Sequence, residues 1–261
     1  MNVLMVGDVY ARPGRRVLRE TLGEIQSRHG IDFTVVNVEN AAGGFGITEK
    51  VLEEFHALPI DAMTSGNHIW DKREALDFID GNPDLLRPHN YPADTPGSGW
   101  YACDGPGGVR VGVLNLMGQI FMNPTLDSPF DLVDEVLENE AGGVDVLLVD
   151  FHAETTSEKV AMGWHLDGRV AAVVGTHTHI PTADERILPG GTAYITDLGM
   201  TGCYDSVIGS DRNAVLKRMV HKLHARLDPA TGDASLCGVI VEVDESTGLS
   251  RNIQRIRVEA E

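Results

Sequence analysis

The sequence predicts an α/β protein, and three features of the chain lead to that prediction. Short apolar runs alternate with helix-like stretches along most of the 261 residues, which is the pattern of α/β architectures. Two of these runs, VDVLLVD and RVAAVV, are almost continuous, as in strands that are covered on both faces. The C-terminal segments VIVEVDE and RIRVE instead alternate apolar and polar residues, which favours strands joined by turns. We therefore expect a second sheet, mixed or antiparallel, that packs on the first.

The N-terminal quarter of the chain contains three predicted strands and two predicted helices. The strands cover residues 2–6, 33–38 and 61–65. One helix is expected from Pro13 to about residue 29, because proline suits the first helical turn. A second helix is expected to open at Thr48 and to end near His56, since threonine is a common N-cap residue. Polar residues directly follow the three strands, at Gly7-Asp8, Glu39-Asn40 and Gly66-Asn67-His68.

The second half of the chain repeats this alternation. Strands are predicted over residues 144–150, directly before Phe151 and His152, and over residues 169–174, directly before the segment from Gly175 to His179. Thr155 and Glu158 have the spacing of a capping box, which predicts that a helix begins between the two strands.

Four other apolar runs have no helical pattern beside them and are predicted as further strands: residues 109–116, 192–197, 235–243 and 251–258. Residues 245–248 form a turn between the last two. The stretch 91–108 is rich in glycine and proline and is predicted as a long loop rather than a domain boundary. Because the chain has no internal repeat or low-complexity tract, we expect a single domain over residues 1–261.

The charge of the chain argues against a nucleic-acid polymer as its partner. The net charge is −18, from 21 basic and 39 acidic side chains. Such a charge repels extended polyanions, and there is no basic run of the kind that binds a phosphate backbone. A small anionic substrate that metal cations hold remains compatible with this charge.

The composition also predicts no membrane partner and a cytoplasmic location. The chain has no run of about eighteen apolar residues, as a membrane span needs, and its first residues lack the basic region of a signal peptide. Its three cysteines, Cys103, Cys203 and Cys237, are odd in number and widely spaced, which disfavours a disulfide framework or a CxxC zinc site. We expect reduced, mostly buried thiols, as is usual in the cytoplasm.

Side chains that can bind metals follow five of the predicted strands. They comprise two carboxylates, two amides and four imidazoles: Asp8, Glu39, Asn40, Asn67, His68, His152, His177 and His179. Ligand sites in open α/β sheets lie beyond the carboxyl ends of the strands, so the five segments can converge in one crevice. Nitrogen and oxygen donors suit metals such as iron, manganese or zinc. Two such ions side by side are the usual apparatus for hydrolysing phosphate esters.

Each member of this set has an ordinary structural interpretation when it is taken alone. A lone histidine such as His152 is more often structural than a ligand, Asp8 could cap the next helix, and Gly-Asn-His is a common turn sequence. The joint occurrence of five segments in this order, each at a strand end, favours one metal site. Residues two apart on a strand face the same side, so His177 and His179, on the extended or loop segment predicted here, are expected to point into that site together.

The order Asp, acidic residue, Gly-Asn-His, His and a final His-x-His resembles the calcineurin-like metallophosphoesterase superfamily. The whole chain is similar to the bacterial YmdB-like branch of that superfamily. The stretches that carry this resemblance run from end to end: GDVYARPGR, VENAAGGFGIT, TSGNHIWDK, DFHAETTSEK, GWHLDGRVAAVVGTHTHIPTAD and TDLGMTGCYDSVIG. The chain departs from the wider superfamily at Tyr10 and Thr176, where histidine is common, and at Glu39, where the second aspartate usually stands.

The resemblance implies a four-layer αββα sandwich of two mixed sheets, and a metallophosphoesterase with a dinuclear metal centre. One ion takes Asp8, Glu39, Asn40 and His179 as ligands. The second takes Glu39, Asn67, His152 and His177, so that Glu39 bridges the two. Iron or manganese is favoured, with zinc as a third candidate. A homo-oligomer is an expectation at the level of the family.

The resemblance also implies phosphodiesterase activity on cyclic nucleotides, notably 2′,3′-cyclic AMP. In the expected reaction, a hydroxide that the two ions hold attacks phosphorus and His68 protonates the departing ribose oxygen. Two alternatives remain open, namely a phosphomonoesterase or protein phosphatase with the same metals, and a regulatory protein that senses a nucleotide or metal without turnover. His68 favours an enzyme, because a sensor needs ligands but no proton donor.

Overall fold

Strands and helices alternate through the first two thirds of the computed structural model, which describes residues 1–259. The strands are β1 (Asn2–Val6), β2 (Phe33–Asn37), β3 (Ala62–Thr64), β4 (Trp100–Asp104), β5 (Arg110–Met117), β6 (Val146–His152), β7 (Ala172–Thr176), β8 (Arg186–Ile187), β9 (Ala193–Ile195), β10 (Gly202–Cys203), β11 (Ala234–Asp244) and β12 (Leu249–Glu259). The helices are α1 (Ala11–His29), α2 (Glu49–His56), α3 (Ala75–Phe78), α4 (Pro129–Asn139), α5 (Thr156–His165) and α6 (Arg212–Met219).

The strands form two mixed sheets of six strands each. In the first sheet β1, β2 and β3 are parallel, and β11 pairs antiparallel with β1, β10 and β12. In the second sheet β5, β6, β7 and β9 are parallel, whereas β4 and β8 are antiparallel strands at its two edges. The parallel strands are those that alternate with helices along the chain. The turn-joined pair β11 and β12 completes the first sheet rather than the second.

Successive side chains of the central strands enter different hydrophobic cores. On β1, Val3 faces the opposite sheet and Leu4 faces the helical layer of α1 and α2. On β6, Leu148 faces the opposite sheet and Leu147 faces the layer of α4 and α5. Three cores therefore separate four layers, and the predicted αββα sandwich is confirmed.

The parallel strands of both sheets end at one edge of the sandwich. Across this edge, the Asn37 amide of β2 donates to the Asp150 carboxylate of β6 at 3.0 Å. The backbone N–H of His177, just after β7, donates to Oδ2 of Asp8, just after β1, at 3.2 Å. Segments far apart in sequence are therefore brought to one place.

The predicted long loop at residues 91–108 is wrong in part, because it contains β4. This strand runs antiparallel to β5, with Trp100 opposite Leu114, and a short 3-10 turn, Pro106–Gly108, follows it. The glycines and prolines on both sides of a five-residue edge strand masked its apolar pattern.

The capping box predicted for Thr155 and Glu158 is also wrong, although α5 does begin there. The hydroxyl of Thr155 has no hydrogen-bond partner among residues 1–259. The Glu158 carboxylate instead accepts from the backbone N–H groups of Gln119 (2.8 Å) and Ile120 (3.3 Å). Glu158 thus anchors the loop after β5 and does not cap its own helix.

Other differences concern boundaries and short elements. β6 extends through His152, β7 starts and ends two to three residues later than predicted, and α1 begins at Ala11, before Pro13. The helices α3, α4 and α6 have no counterpart among the predicted elements. None of the helices in residues 1–259 combines the length and the apolar composition that a membrane span requires. The three cysteines are free, and Cys203 and Cys237 are buried.

Candidate metal centre

The eight side chains predicted for the site meet at the carboxyl edge of the two sheets. They are Asp8 after β1, Glu39 and Asn40 after β2, Asn67 and His68 after β3, His152 at the end of β6, and His177 and His179 after β7. Seven of them form a cluster of side-chain neighbours, and His68 lies at its rim. The structure therefore brings together the residues predicted for the site.

Three atoms with lone pairs surround Nε2 of His152. Oε1 of Glu39 lies 3.2 Å from this nitrogen, Oδ1 of Asn67 lies 3.2 Å from it, and Nδ1 of His177 lies 3.1 Å from it. His152 and Glu39 are fully buried. A single N–H on His152 could satisfy only one of these three acceptors, so the arrangement suits a cation among all four atoms.

Asp8, Asn40 and His179 form a second group that also contacts Glu39. Nδ2 of Asn40 lies 3.1 Å from Oε1 of Glu39 and 3.1 Å from Nε2 of His179. Oδ1 of Asp8 lies 3.8 Å from Nε2 of His179 and 3.9 Å from Nδ1 of His152, which is too far for hydrogen bonds. Glu39 is thus the residue that the two groups share.

Partners outside the cluster determine which nitrogen is protonated in two of the imidazoles. Nδ1 of His179 lies 2.9 Å from the carbonyl oxygen of Ile208, and Nε2 of His177 lies 3.0 Å from Oε2 of Glu154. Because these oxygens can only accept, each of these nitrogens carries the hydrogen. The lone pairs on Nε2 of His179 and Nδ1 of His177 therefore face the cluster, as metal ligation requires.

The segment from His177 to His179 is a left-handed turn rather than an extended strand. The φ angle is 95° at His177 and 66° at His179, in a region that residues other than glycine seldom adopt. Both imidazoles do face the cluster, as expected. It is the turn, however, that directs the two imidazoles into the cluster. The alternation of side chains along a strand, from which their direction was predicted, does not apply here.

A buried ion pair between Lys159 and Asp197 holds this turn. The two side chains are 1% exposed, and Nζ of Lys159 donates to Oδ2 of Asp197 at 2.6 Å. The same oxygen accepts from the Thr178 backbone N–H (3.2 Å) and hydroxyl (2.6 Å). Neither residue of this pair is among those predicted for the site. Asp197 follows a strand, as Asp8 does, so the strand-end rule could have found it, whereas a lysine within a helix gave no signal.

His68 lies at the rim of the cluster, where it forms a pair with Asp71. Nδ1 of His68 is 2.9 Å from Oδ2 of Asp71, and the His68 side chain is 29% exposed. Its backbone N–H donates to Oε2 of Glu39 at 3.2 Å, and the ring of Phe45 packs edge-on against its imidazole, 5.0 Å between centroids. Asp71 was not predicted, although it stands three residues after His68 within the TSGNHIWDK stretch.

Burial and the neighbouring charges shift the pKa values of the cluster in opposite directions. Burial raises the pKa of Asp8 above its usual range, although His179 and His152 partly oppose this. Burial would also raise the pKa of Glu39, but the adjacent His152 outweighs it and lowers that pKa. Burial disfavours the charged form of His152, yet Glu39 outweighs burial and raises the His152 pKa. Burial and His152 together lower the pKa of His177 to about 3. The pKa shifts of Glu39 and His152 have one cause, namely the close contact between Glu39 and His152, in which each group favours the charged form of the other.

The donor set fits one or more metal cations. Within residues 1–259, the charged partners of the buried Asp8 and Glu39 carboxylates are imidazoles alone, and neither carboxylate pairs with lysine or arginine. Oδ1 of Asp8 is buried without a hydrogen-bond donor in that part of the chain, a costly state unless a cation compensates it. A Cβ at Gly66 would lie 2.1 Å from Cδ2 of His152 and 2.4 Å from Oε2 of Glu39. Only glycine at position 66 therefore leaves enough space for the side chains of His152 and Glu39.

A cavity of about 370 Å³ opens over the cluster, within the size range of small-ligand sites. Polar site residues form its floor, and the apolar residues that line it are Tyr10, Phe45, Ile208 and Leu227. These lining residues are not among those predicted for the site. Phe45 is 39% exposed, so part of its ring is accessible from the cavity that it lines.

Comparison with known proteins gives matches over nearly the whole chain. The model of the YmdB-like protein family matches residues 4–256. A 2′,3′-cyclic-nucleotide 2′-phosphodiesterase of Bacillus subtilis is 46% identical over 258 residues, which cover 99% of this chain and 97% of that protein.

Solved structures give the same result for the fold. A hypothetical protein of Thermus thermophilus superposes with a TM-score of 0.93 at 39% identity, over 100% of both chains. A protein of Mycoplasma pneumoniae described as a novel phosphatase superposes with a TM-score of 0.93 at 33% identity, over 99% of this chain and 93% of that one. The two-sheet sandwich, the motifs at its strand ends and these full-length matches agree, and the chain belongs to the YmdB-like family.

Proposed function

We propose that this protein is a metal-dependent phosphodiesterase that hydrolyses 2′,3′-cyclic nucleotides, with 2′,3′-cyclic AMP as the leading candidate. One observation carries the proposal, namely that two buried carboxylates and three imidazoles converge beside a cavity. Among the described residues, neither carboxylate pairs with lysine or arginine. The cavity has a further imidazole, that of His68, at its rim. The name of the Bacillus subtilis relative supports the choice of substrate. The shared core between the two sheets supports one metallophosphoesterase domain over residues 1–261.

The ligand assignment follows the two contact groups, with the Asn40 amide turned so that Oδ1 would face the ion in place of the Nδ2 that contacts Glu39 and His179 here. Asp8, Glu39, Asn40 and His179 would hold one ion, and Glu39, Asn67, His152 and His177 would hold the other. Iron and manganese are the leading candidates, and zinc suits the same mixture of oxygen and nitrogen donors. When bound, such ions polarise the phosphate and supply an activated water as the nucleophile.

In this proposal, His68 acts as the proton donor. Its Nδ1 is engaged by Asp71 at 2.9 Å, which orients the ring and leaves Nε2 for the substrate. As the bond between phosphorus and the ribose 2′ oxygen breaks, Nε2–H of His68 donates its proton to that oxygen. The water oxygen becomes bonded to phosphorus and releases one proton to solvent, from which His68 is reprotonated, so the product is a 3′-nucleotide. Imidazole suits this step because it can hold and release a proton near neutral pH.

The Phe45 ring is proposed to position the base of the nucleotide. It lines the cavity, is partly exposed, and packs against His68. A base stacked on this ring would hold the ribose and its cyclic phosphate close to His68. The remaining apolar lining residues provide a surface that excludes water from around the nucleoside.

The test is a substrate panel on protein whose metal content has been measured by elemental analysis. Turnover of 2′,3′-cyclic AMP is expected to exceed that of 3′,5′-cyclic AMP and p-nitrophenyl phosphate, with a 3′-nucleotide as the product. Faster hydrolysis of p-nitrophenyl phosphate would instead indicate a phosphomonoesterase. Binding of the cyclic nucleotide without turnover by the metal-loaded protein would indicate a sensor.

A further inference from the structure

A buried polar network beneath the metal centre links the two sheets. Its four members lie at the carboxyl ends of four strands: Asn37 on β2, Thr64 on β3, Asp150 on β6 and Thr176 on β7. All four side chains belong to residues that are at most 2% exposed. The Asp150 carboxylate is the centre of the network. Its Oδ1 accepts from the Thr176 hydroxyl at 2.7 Å, and its Oδ2 accepts from the Asn37 amide and the Thr64 hydroxyl.

The direction of these hydrogen bonds is fixed by Asn37. Its Oδ1 accepts the backbone N–H of Glu39 at 3.2 Å, so its Nδ2 hydrogens point to Asp150. An amide nitrogen can only donate, and Asp150 therefore accepts on that side. With hydroxyl donors at both of its oxygens as well, the carboxylate acts as an acceptor throughout.

The hydrogen bond from Thr176 to Asp150 determines how Thr176 can bond to His152. A hydroxyl has a single hydrogen, and that of Thr176 goes to Asp150. The Thr176 oxygen is then left to accept from Nδ1 of His152, which lies 2.9 Å away. His152 therefore carries its hydrogen on Nδ1 and directs the Nε2 lone pair to the point where Glu39, Asn67 and His177 converge.

We propose that Asp150, acting through Thr176, is a positioning residue that holds His152 in its Nδ1–H form and thereby sets the metal affinity of the site. This inference rests on the proposed metal centre. The imidazoles of His177 and His179 have partners that can only accept, whereas a hydroxyl can also donate. His152 consequently needs a second residue, Asp150, to orient the hydroxyl.

The first test compares three variants by zinc binding to metal-free protein, in competition with a chromogenic chelator. Thr176→Val removes the acceptor of the His152 hydrogen and is expected to weaken zinc binding about 10- to 100-fold, the usual effect of losing a partner of a metal-bound histidine. Thr176→Ser keeps the hydroxyl and should restore the affinity. Thr21→Val is the matched control, because it removes a buried hydroxyl outside the network, and its affinity should stay near that of the wild type.

The second test reads the protonated nitrogen directly in the wild type and so does not depend on the folding of any variant. Long-range ¹H–¹⁵N correlation spectra of the zinc-loaded protein, with His152 assigned by its absence in His152→Asn, should show hydrogen on Nδ1 and zinc at Nε2. Hydrogen on Nε2 would overturn the inference, as would wild-type zinc affinity in a folded Thr176→Val variant. Either result would leave the proposed function intact, whereas a wild-type protein that binds no zinc, iron or manganese would overturn both.

Discussion

The cluster of seven site residues is buried, whereas its rim, where His68 lies, is partly exposed. One short turn, Gly66-Asn67-His68, contributes a side chain to each. Asn67 enters the cluster, with Oδ1 3.2 Å from Nε2 of a histidine that is fully buried. His68 remains at the rim, paired with Asp71, whose side chain is 46% exposed. Burial favours metal binding, because in a dry cluster a cation compensates carboxylates that water cannot reach. Partial exposure favours proton exchange with substrate and solvent. In the proposed function, neighbouring residues of one motif therefore take different roles, Asn67 as a metal ligand and His68 as the proton donor.

The largest effect is expected for Glu39→Gln, because Glu39 contacts both groups of ligands. The variant should lose stable binding of both ions and, with them, its phosphodiesterase activity. Elemental analysis after gel filtration, together with turnover of 2′,3′-cyclic AMP, measures this. Glu20→Gln is the matched control, since its side chain is exposed on α1 and lies outside the site. Retention of two ions by Glu39→Gln would show that Glu39 does not bridge them.

The rim should behave differently when His68 is changed. His68→Ala is expected to lower kcat by about 10²- to 10⁴-fold, the usual contribution of a general acid, while the metal content stays that of the wild type. Asp71→Asn should give a smaller fall in kcat, because it weakens the orientation of the imidazole and leaves the imidazole itself in place. If His68→Ala lost its metal, the separation between cluster and rim would be wrong.

The Lys159→Met variant tests a residue that supports the cluster and is not itself a candidate ligand. It leaves Asp197 buried without its cation, a change that typically costs about 3–5 kcal/mol of folding free energy. Urea unfolding of the metal-free protein measures this, with the exposed Lys50→Met as control, for which we expect a change within about 0.5 kcal/mol. A Lys159→Met variant as stable as the control would show that the ion pair does not stabilise the turn after β7.

The smallest effect is expected at the mouth of the cavity. Phe45→Ala should raise KM for 2′,3′-cyclic AMP by an amount equivalent to about 1–3 kcal/mol, the usual contribution of a base stacked on an aromatic ring. Turnover of p-nitrophenyl phosphate, which has no nucleobase, should change less. Phe121→Ala is a suitable control, because that ring is 87% exposed and does not line the cavity. Equal KM values in the two variants would rule out base stacking on Phe45.

The parallel part of the fold could be predicted because its sequence signals are local. Continuous apolar runs such as VDVLLVD identify strands that are buried on both faces, and Thr48 caps α2 as predicted, with its hydroxyl accepting from the N–H of Val51. The antiparallel edge strands were harder, since β4 is short and half-exposed and therefore lacks a strong apolar pattern. Glu158 shows the limit of local rules, because its partners lie almost forty residues away.

The members of the candidate site could be predicted because each one follows an apolar strand, and parallel strands bring their carboxyl ends together. The residues that orient or support these site members could not be predicted in the same way. Asp71 and Lys159 lie on a turn and a helix where charged residues are ordinarily solvated, and the partners of Asp150 come from three other strands. Their roles depend on tertiary contacts that no spacing in the sequence encodes.

The proposed dinuclear centre is tested by the metal content of the wild type and of Asn67→Ala, measured side by side by elemental analysis. We predict two ions per chain in the wild type and a clear loss of one in the variant, because Oδ1 of Asn67 belongs to only one of the two groups. A wild type without bound metal, or an Asn67→Ala variant with the wild-type stoichiometry, would contradict the proposed dinuclear centre.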